Sequence, residues 1–100
     1  MKKLFIAAFM FVSTFISNVF ADGHAIKMGI ILGFTGPIES LTPAMAASAE
    51  LAFKEASDSG SLLGGKKIEV VRADSTCVDS AAATAAAEGV ISQGVAAIMG

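Results

Sequence analysis

Residues 26–33 read Ile-Lys-Met-Gly-Ile-Ile-Leu-Gly, a short apolar run bounded by glycine. Such a run fits a strand buried on both faces, as in a parallel sheet. Downstream, Thr42 before Pro43 predicts a helix start. The threonine oxygen can accept a bond from a first-turn amide, and proline at the first helical position gives up no bond that would have formed. Met45, Ala49, Ala52, Phe53 and Ala56 recur at helical spacing as one apolar face, and Gly60 is the expected stop after Ser59. Lys66 to Ala73 (KKIEVVRA) reads as a second strand, followed by the polar loop Asp74-Ser75-Thr76. Asp79 can cap a second helix over about 80–93, where six of the seven residues 81–87 are alanine, so that it can lie close to a sheet. Val95 to Met99 is a third short strand.

The order strand, helix, strand, helix, strand, with connections of this length, predicts an α/β fold with right-handed crossovers. It is half of a doubly wound parallel sheet. A third strand ending at residue 99 leaves a sheet face bare, so the chain is expected to be an N-terminal fragment of a longer protein.

Composition separates a leader from this body. Residues 1–21 hold 15 of the 54 apolar residues and five of the seven phenylalanines. Lys2 and Lys3 supply a positive start, Leu4 to Val12 is an unbroken apolar run, and Val19-Phe20-Ala21 offers a peptidase site. These features predict a secretory signal peptide over 1–21, cleaved after Ala21. A transmembrane anchor is the alternative, but Ser13, Thr14, Ser17 and Asn18 interrupt the segment before it reaches the roughly 20 apolar residues a span needs. The remaining 22–100 carry five basic and nine acidic residues, a net of −4. No basic stripe supports nucleic-acid binding. Export places Cys77, the single cysteine, in an oxidising compartment, where its partner is expected on another chain or beyond Gly100.

Motifs for catalysis are weak. Residues 60–67 (GSLLGGKK) approach the phosphate loop GxxxxGK[ST], yet Lys67 stands where a hydroxyl should hold magnesium, and the segment leaves a helix and enters a strand. An ordinary turn is expected. Residues 33–37 (GFTGP) lack the spacing of a dinucleotide fingerprint, and Pro37 removes an amide. Loop 34–42 is still the best candidate for a binding wall, because ligands of open α/β sheets collect at the carboxyl ends of strands. His24 is the one histidine, with no metal-ligand partner at useful spacing, so no Ser-His-Asp arrangement can be built. Glu39 and Asp74 lie on successive strand-end loops, either as a carboxylate pair or, on the plainer reading, as loop caps or exposed charges.

Taken in order, IKMGIILGFTGPIESL, AELAFKEASDSGSLLGGKKIEVV, the loop ADSTCVDSAAA and the strand VAAIMG resemble the amino-acid-binding receptors of ABC transporters. More narrowly, the chain is similar to the Leu/Ile/Val-type, or type I, periplasmic binding proteins over residues 26–100. The TGP turn, the AELA helix core, the GGKKIE approach to strand two and the D-x-x-C loop match together and in order.

The resemblance implies a bilobed receptor whose lobes close on a solute at the hinge, with 22–100 as an incomplete N-terminal lobe. It implies that Cys77 forms a disulfide with a cysteine just past the third strand, beyond Gly100. It implies that the ligand is held mainly by hydroxyls and amides of the loops after the third and fourth strands. Of the residues present, Leu41 matches a first-loop position in the side-chain pocket where family members often carry an aromatic, and Glu39 and Ser40 are weaker neighbours. Thr42-Pro43 replaces a commoner glycine-containing helix start.

The function expected is capture of a small amino acid or related solute in the periplasm for delivery to a membrane ABC permease, with no catalysis, no cofactor and no metal. The rivals are an extracellular ligand-sensing domain on the same fold, an exported Rossmann-type enzyme, and a fragment too incomplete to close on a ligand.

Overall fold

A computed structural model describes residues 25–100. The signal peptide expected over 1–21 and the single histidine, His24, lie outside the described residues. Three strands and two helices follow one another as β1 (Ile26–Leu32), α1 (Thr42–Asp58), β2 (Ile68–Asp74), α2 (Ser80–Ser92) and β3 (Ala97–Met99). The strands form one parallel sheet in the order β2-β1-β3. Ile26 stands opposite Ile68 and Leu32 opposite Asp74, while Met28 to Ile30 pair with Ala97 to Met99. This is the βαβαβ half of a doubly wound α/β lobe predicted from the sequence.

Strand β1 is the centre. Ile30 is fully buried and Leu32 nearly so, and both pack with Ala46 of α1, with Phe34, Ala49, Phe53, Val70 and Met99 around them. Side chains alternate across a strand, so Gly29 faces the opposite side. A Cβ there would lie 3.4 Å from Val90 of α2 and 3.2 Å from Ile98 of β3. The missing side chain lets the alanine-rich α2, with Val90 buried, settle close to the sheet.

The face of α1 differs from expectation. Met45 is 51% exposed and Ala52 is also exposed, whereas Thr42, Ala46 and Ser57 are buried, with Ala49, Phe53 and Ala56 half-buried. The difference begins at the first turn. Leu41, not Thr42, is the N-cap, and no side chain caps the helix. Thr42 lies inside the first turn, fully buried, where its hydroxyl donates to the Gly33 carbonyl at 2.9 Å. That bond ties the start of the helix to the end of β1, in register with the row 46, 49, 53 that packs on Ile30 and Leu32. A buried hydroxyl needs a partner, and here it has one.

Other boundaries agree within two residues. Helix α1 ends at Asp58 with Ser59 as C-cap, and Gly60 follows at φ +69°, the left-handed residue that stops a helix. The near-miss phosphate loop is an ordinary connection, a single 3-10 turn at Leu62–Gly64 running into β2. Buried Ser57 accepts from the Ile68 amide at 2.8 Å and joins the end of α1 to the start of β2. Asp79 caps α2 as predicted, accepting from the amides of Ala81 at 2.8 Å and Ala82 at 3.2 Å.

Thr42→Val keeps the shape of the side chain but strands the Gly33 carbonyl. The expected loss is about 1–3 kcal/mol of unfolding free energy, read by urea denaturation, with Thr42→Ser recovering most of it. A valine variant as stable as the parent would remove that bond from the list of structural ties.

Candidate functional site

Because all three strands run the same way, the loops leaving β1 (33–41) and β2 (75–79) emerge at one edge of the sheet. Asp74, the last residue of β2, binds them together. Its Oδ1 accepts from the amides of Phe34 at 2.9 Å, Thr35 at 3.3 Å and Thr76 at 2.9 Å, and its Oδ2 accepts from the Thr35 hydroxyl at 2.5 Å. The Ser75 amide adds a bond to the Leu32 carbonyl at 3.0 Å. The two loops also touch closely. A Cβ on Gly33 would come within 2.9 Å of the Cys77 Cβ, and one on Gly36, at φ +97°, within 2.8 Å of the Thr76 carbonyl oxygen. Thr76 and Cys77 both take left-handed backbone, at φ 59° and 66°. Such conformations are costly for branched or bulky residues and persist only where the surroundings enforce them.

Leu41, Glu39 and Ser40 stand together on the outer part of the first loop, all exposed, Leu41 by 61%. Glu39 closes its own turn. Its Oε2 accepts from the Gly36 amide at 3.3 Å, and its amide donates to the Gly36 carbonyl at 3.2 Å. Glu39 and Asp74 are therefore loop caps, the plainer of the two roles open to them. Cys77 is exposed, with no disulfide among the described residues.

An open hollow of about 330 Å³ lies beside the second loop, lined by Ser75, Cys77, Val78, Asp79, Ser80 and Ala83. Sequence reasoning placed its candidates on the first loop and missed this one. The rule that singles out carboxyl ends of strands applies equally to the loop after β2, and would have found it. Its lining mixes hydroxyls with apolar Val78 and Ala83, and Asp79 already satisfies two amides at the start of α2. The loops 33–41 and 75–79 carry no lysine or arginine. Among the described residues no group of three or more His, Cys, Asp or Glu comes together.

A second grip on the first loop comes from α1. Arg72 of β2 makes a forked pair with Glu50, Nε to Oε1 at 2.6 Å and Nη2 to Oε2 at 2.7 Å. Its guanidinium carbon lies 5.4 Å from the centre of the Phe34 ring. The hydrogen bond from Arg72 holds the Glu50 carboxyl below its usual range.

The Thr35 hydroxyl, and then the Thr76, Thr35 and Phe34 amides, hold the Asp74 carboxyl below the ordinary value despite some desolvation. A carboxylate whose folded value is depressed stabilises the fold above its unfolded value and loses that contribution as pH falls through the folded one. Melting temperature should therefore be flat near neutrality and fall below about pH 4. Asp74→Asn cannot accept from Thr35 at the amide nitrogen and should lower the neutral plateau and flatten part of the acid limb. Glu50 and Asp58 are also held below their ordinary values, by Arg72 and by Lys54. An acid limb identical in the variant would show that Asp74 contributes nothing to it.

No curated protein matches the chain. The model of one family, periplasmic binding protein, matches residues 25–100, a range that takes in all three strands, both helices and both strand-end loops. With most of its length so matched and a parallel α/β sheet of the corresponding kind, the chain belongs to the periplasmic binding proteins, which hold small-molecule solutes.

Proposed function

We propose that the protein is the solute receptor of an ABC-type uptake system of the branched-chain amino-acid kind, capturing a small amino acid or related solute and delivering it to the membrane permease. Residues 22–100 then make up part of the first of two lobes, in a protein exported to the periplasm after loss of residues 1–21. The observation that carries the reading is the family match across the whole described fold. Exposed apolar side chains support a partner surface beyond these elements: Leu41 at 61%, Val78 at 72% and Ile98 at 41% lie on strand-end loops or the outer strand. In the receptor, closure would bury such groups, and the solute would favour the closed state through contacts it makes only there.

In this reading Leu41 is an apolar wall of the pocket, with Glu39 and Ser40 beside it. A leucine in place of an aromatic keeps the wall apolar but reduces its area, so the preferred solute can differ from leucine, isoleucine or valine. The rim carries Glu39 and Asp79 without any basic residue, which suits an ammonium or neutral polar group on the solute and disfavours phosphate or sulfate. Cys77 pairs with a cysteine of a longer chain past β3.

Calorimetric titration of the exported protein with a panel of amino acids should find at least one ligand, and Leu41→Asp should weaken an apolar one by roughly tenfold or more, since closure would bury an unpaired charge. Unaltered affinity takes Leu41 out of the pocket, and a panel without any ligand sinks the amino-acid reading. Intact-mass analysis of the same material should give a chain beginning at Asp22, with Cys77 resisting alkylation until a reductant is added. A retained leader, or a thiol labelled at once, would count against export processing or against the disulfide.

A further inference from the structure

Strand β2 holds the first strand-end loop at one residue by two separate means. Asp74 accepts the backbone amide of Phe34 at 2.9 Å, and two positions earlier, on the same face of the strand, Arg72 lies with its guanidinium carbon 5.4 Å from the centre of the Phe34 ring. Arg72 is oriented from its other side by α1. Both of its engaged nitrogens meet Glu50 of α1 in a fork, at 2.6 and 2.7 Å, and a planar fork of this kind fixes orientation as well as distance. Phe34 itself packs on the core of Ile30, Leu32 and Ala46, so the ring has the core on one side and the cation near it on another. From Phe34 the chain runs through Gly36 and Pro37 to Leu41, held along the way by short turn bonds, Glu39 to Gly36 at 3.2 Å and Leu41 to Ile38 at 2.9 Å.

We infer that Arg72, oriented by Glu50, is a positioning residue for the solute-facing loop 33–41, acting through the Phe34 ring. The solute-facing role of the loop rests on the receptor reading above, whereas the grip on Phe34 does not. An exposed ion pair alone contributes little to stability. The significance of this one lies in what it aims: it sets the direction of a ring from which the rest of the loop hangs. Lysine at position 72 would keep the charge but lose both the fork and the flat face that stacks on an aromatic.

The test is amide hydrogen exchange on the protein without solute, comparing the parent with Arg72→Lys, Glu50→Gln, Phe34→Leu and the Arg72→Lys/Phe34→Leu double variant. Arg72→Lys and Glu50→Gln are each expected to speed exchange at the Glu39 and Leu41 amides by roughly two- to fivefold, the size of an exposed cation–ring contact. The Ile30 amide at the centre of β1 should not change, which separates loosening of the loop from loss of the fold. In the Phe34→Leu background the lysine substitution should add almost nothing, because its route to the loop is already gone. Exchange at Glu39 and Leu41 that is unaltered in Arg72→Lys, or raised equally with and without Phe34, would overturn the proposal. Titration of the same variants with amino acids tests the other reading separately. A loop that loosens while solute affinity holds supports the grip on Phe34 and removes loop 33–41 from the binding wall.

Discussion

Strand β1 is paired along both edges and covered on both faces, and the rest of the structure is arranged around that confinement. Its backbone takes its ladder bonds from the neighbouring strands, and its inward side chains meet apolar neighbours, while Lys27 near its start reaches the Gln93 carbonyl. Ile30 and Leu32 meet α1, while Gly29 leaves room for Val90 of α2 and Ile98 of β3. One strand thereby sets the distance of both helices from the sheet. The parallel direction of its two partners then sends the loops after β1 and β2 to a single edge.

At that edge the apolar logic of the core gives way to a polar one. The first loop begins with backbone groups that have left the ladder, and each needs a partner. Asp74 supplies one acceptor group for donors of both loops, and Thr42 supplies a donor for the Gly33 carbonyl. Glycines at 33 and 36 remove the side chains that would keep the loops apart. The result is a doubly anchored rim whose outer residues, Leu41, Glu39 and Ser40, stay exposed. The base of each loop is thus fixed by bonds to its neighbour, while its outer surface stays open to solvent.

Much of this was legible in the chain itself. The apolar run at 26–33, the polar break at 74–76, the cap at Asp79 and the stop at Gly60 each depend on local chemistry, and each element lies within two residues of its expected place. The role of Thr42 was not legible. Threonine before proline has the pattern of a helix cap, and only the return of the Gly33 carbonyl across nine residues makes it an internal tie instead. The buried row of α1 includes that residue and Ala46, and Met45 and Ala52, apolar and correctly spaced, are found on the outside. The hollow beside Ser75 and Val78 was legible in principle, since its walls are the loop after β2 and the start of α2, and the strand-end rule points to that loop as much as to the first.

Sequence alone determined the order and direction of the elements, because hydrophobic period, caps and stops act within a few residues, and connections of this length leave parallel pairing as the available topology. Tertiary structure decided which carboxylate would bind the rim, which face of α1 would be buried and that Arg72 of β2, Glu50 of α1 and Phe34 of the first loop would meet. Those outcomes depend on groups from separate elements reaching hydrogen-bond or van der Waals distance, with partners as far as 40 residues apart in the chain. Pattern along the chain carries no measure of that distance until the sheet has formed.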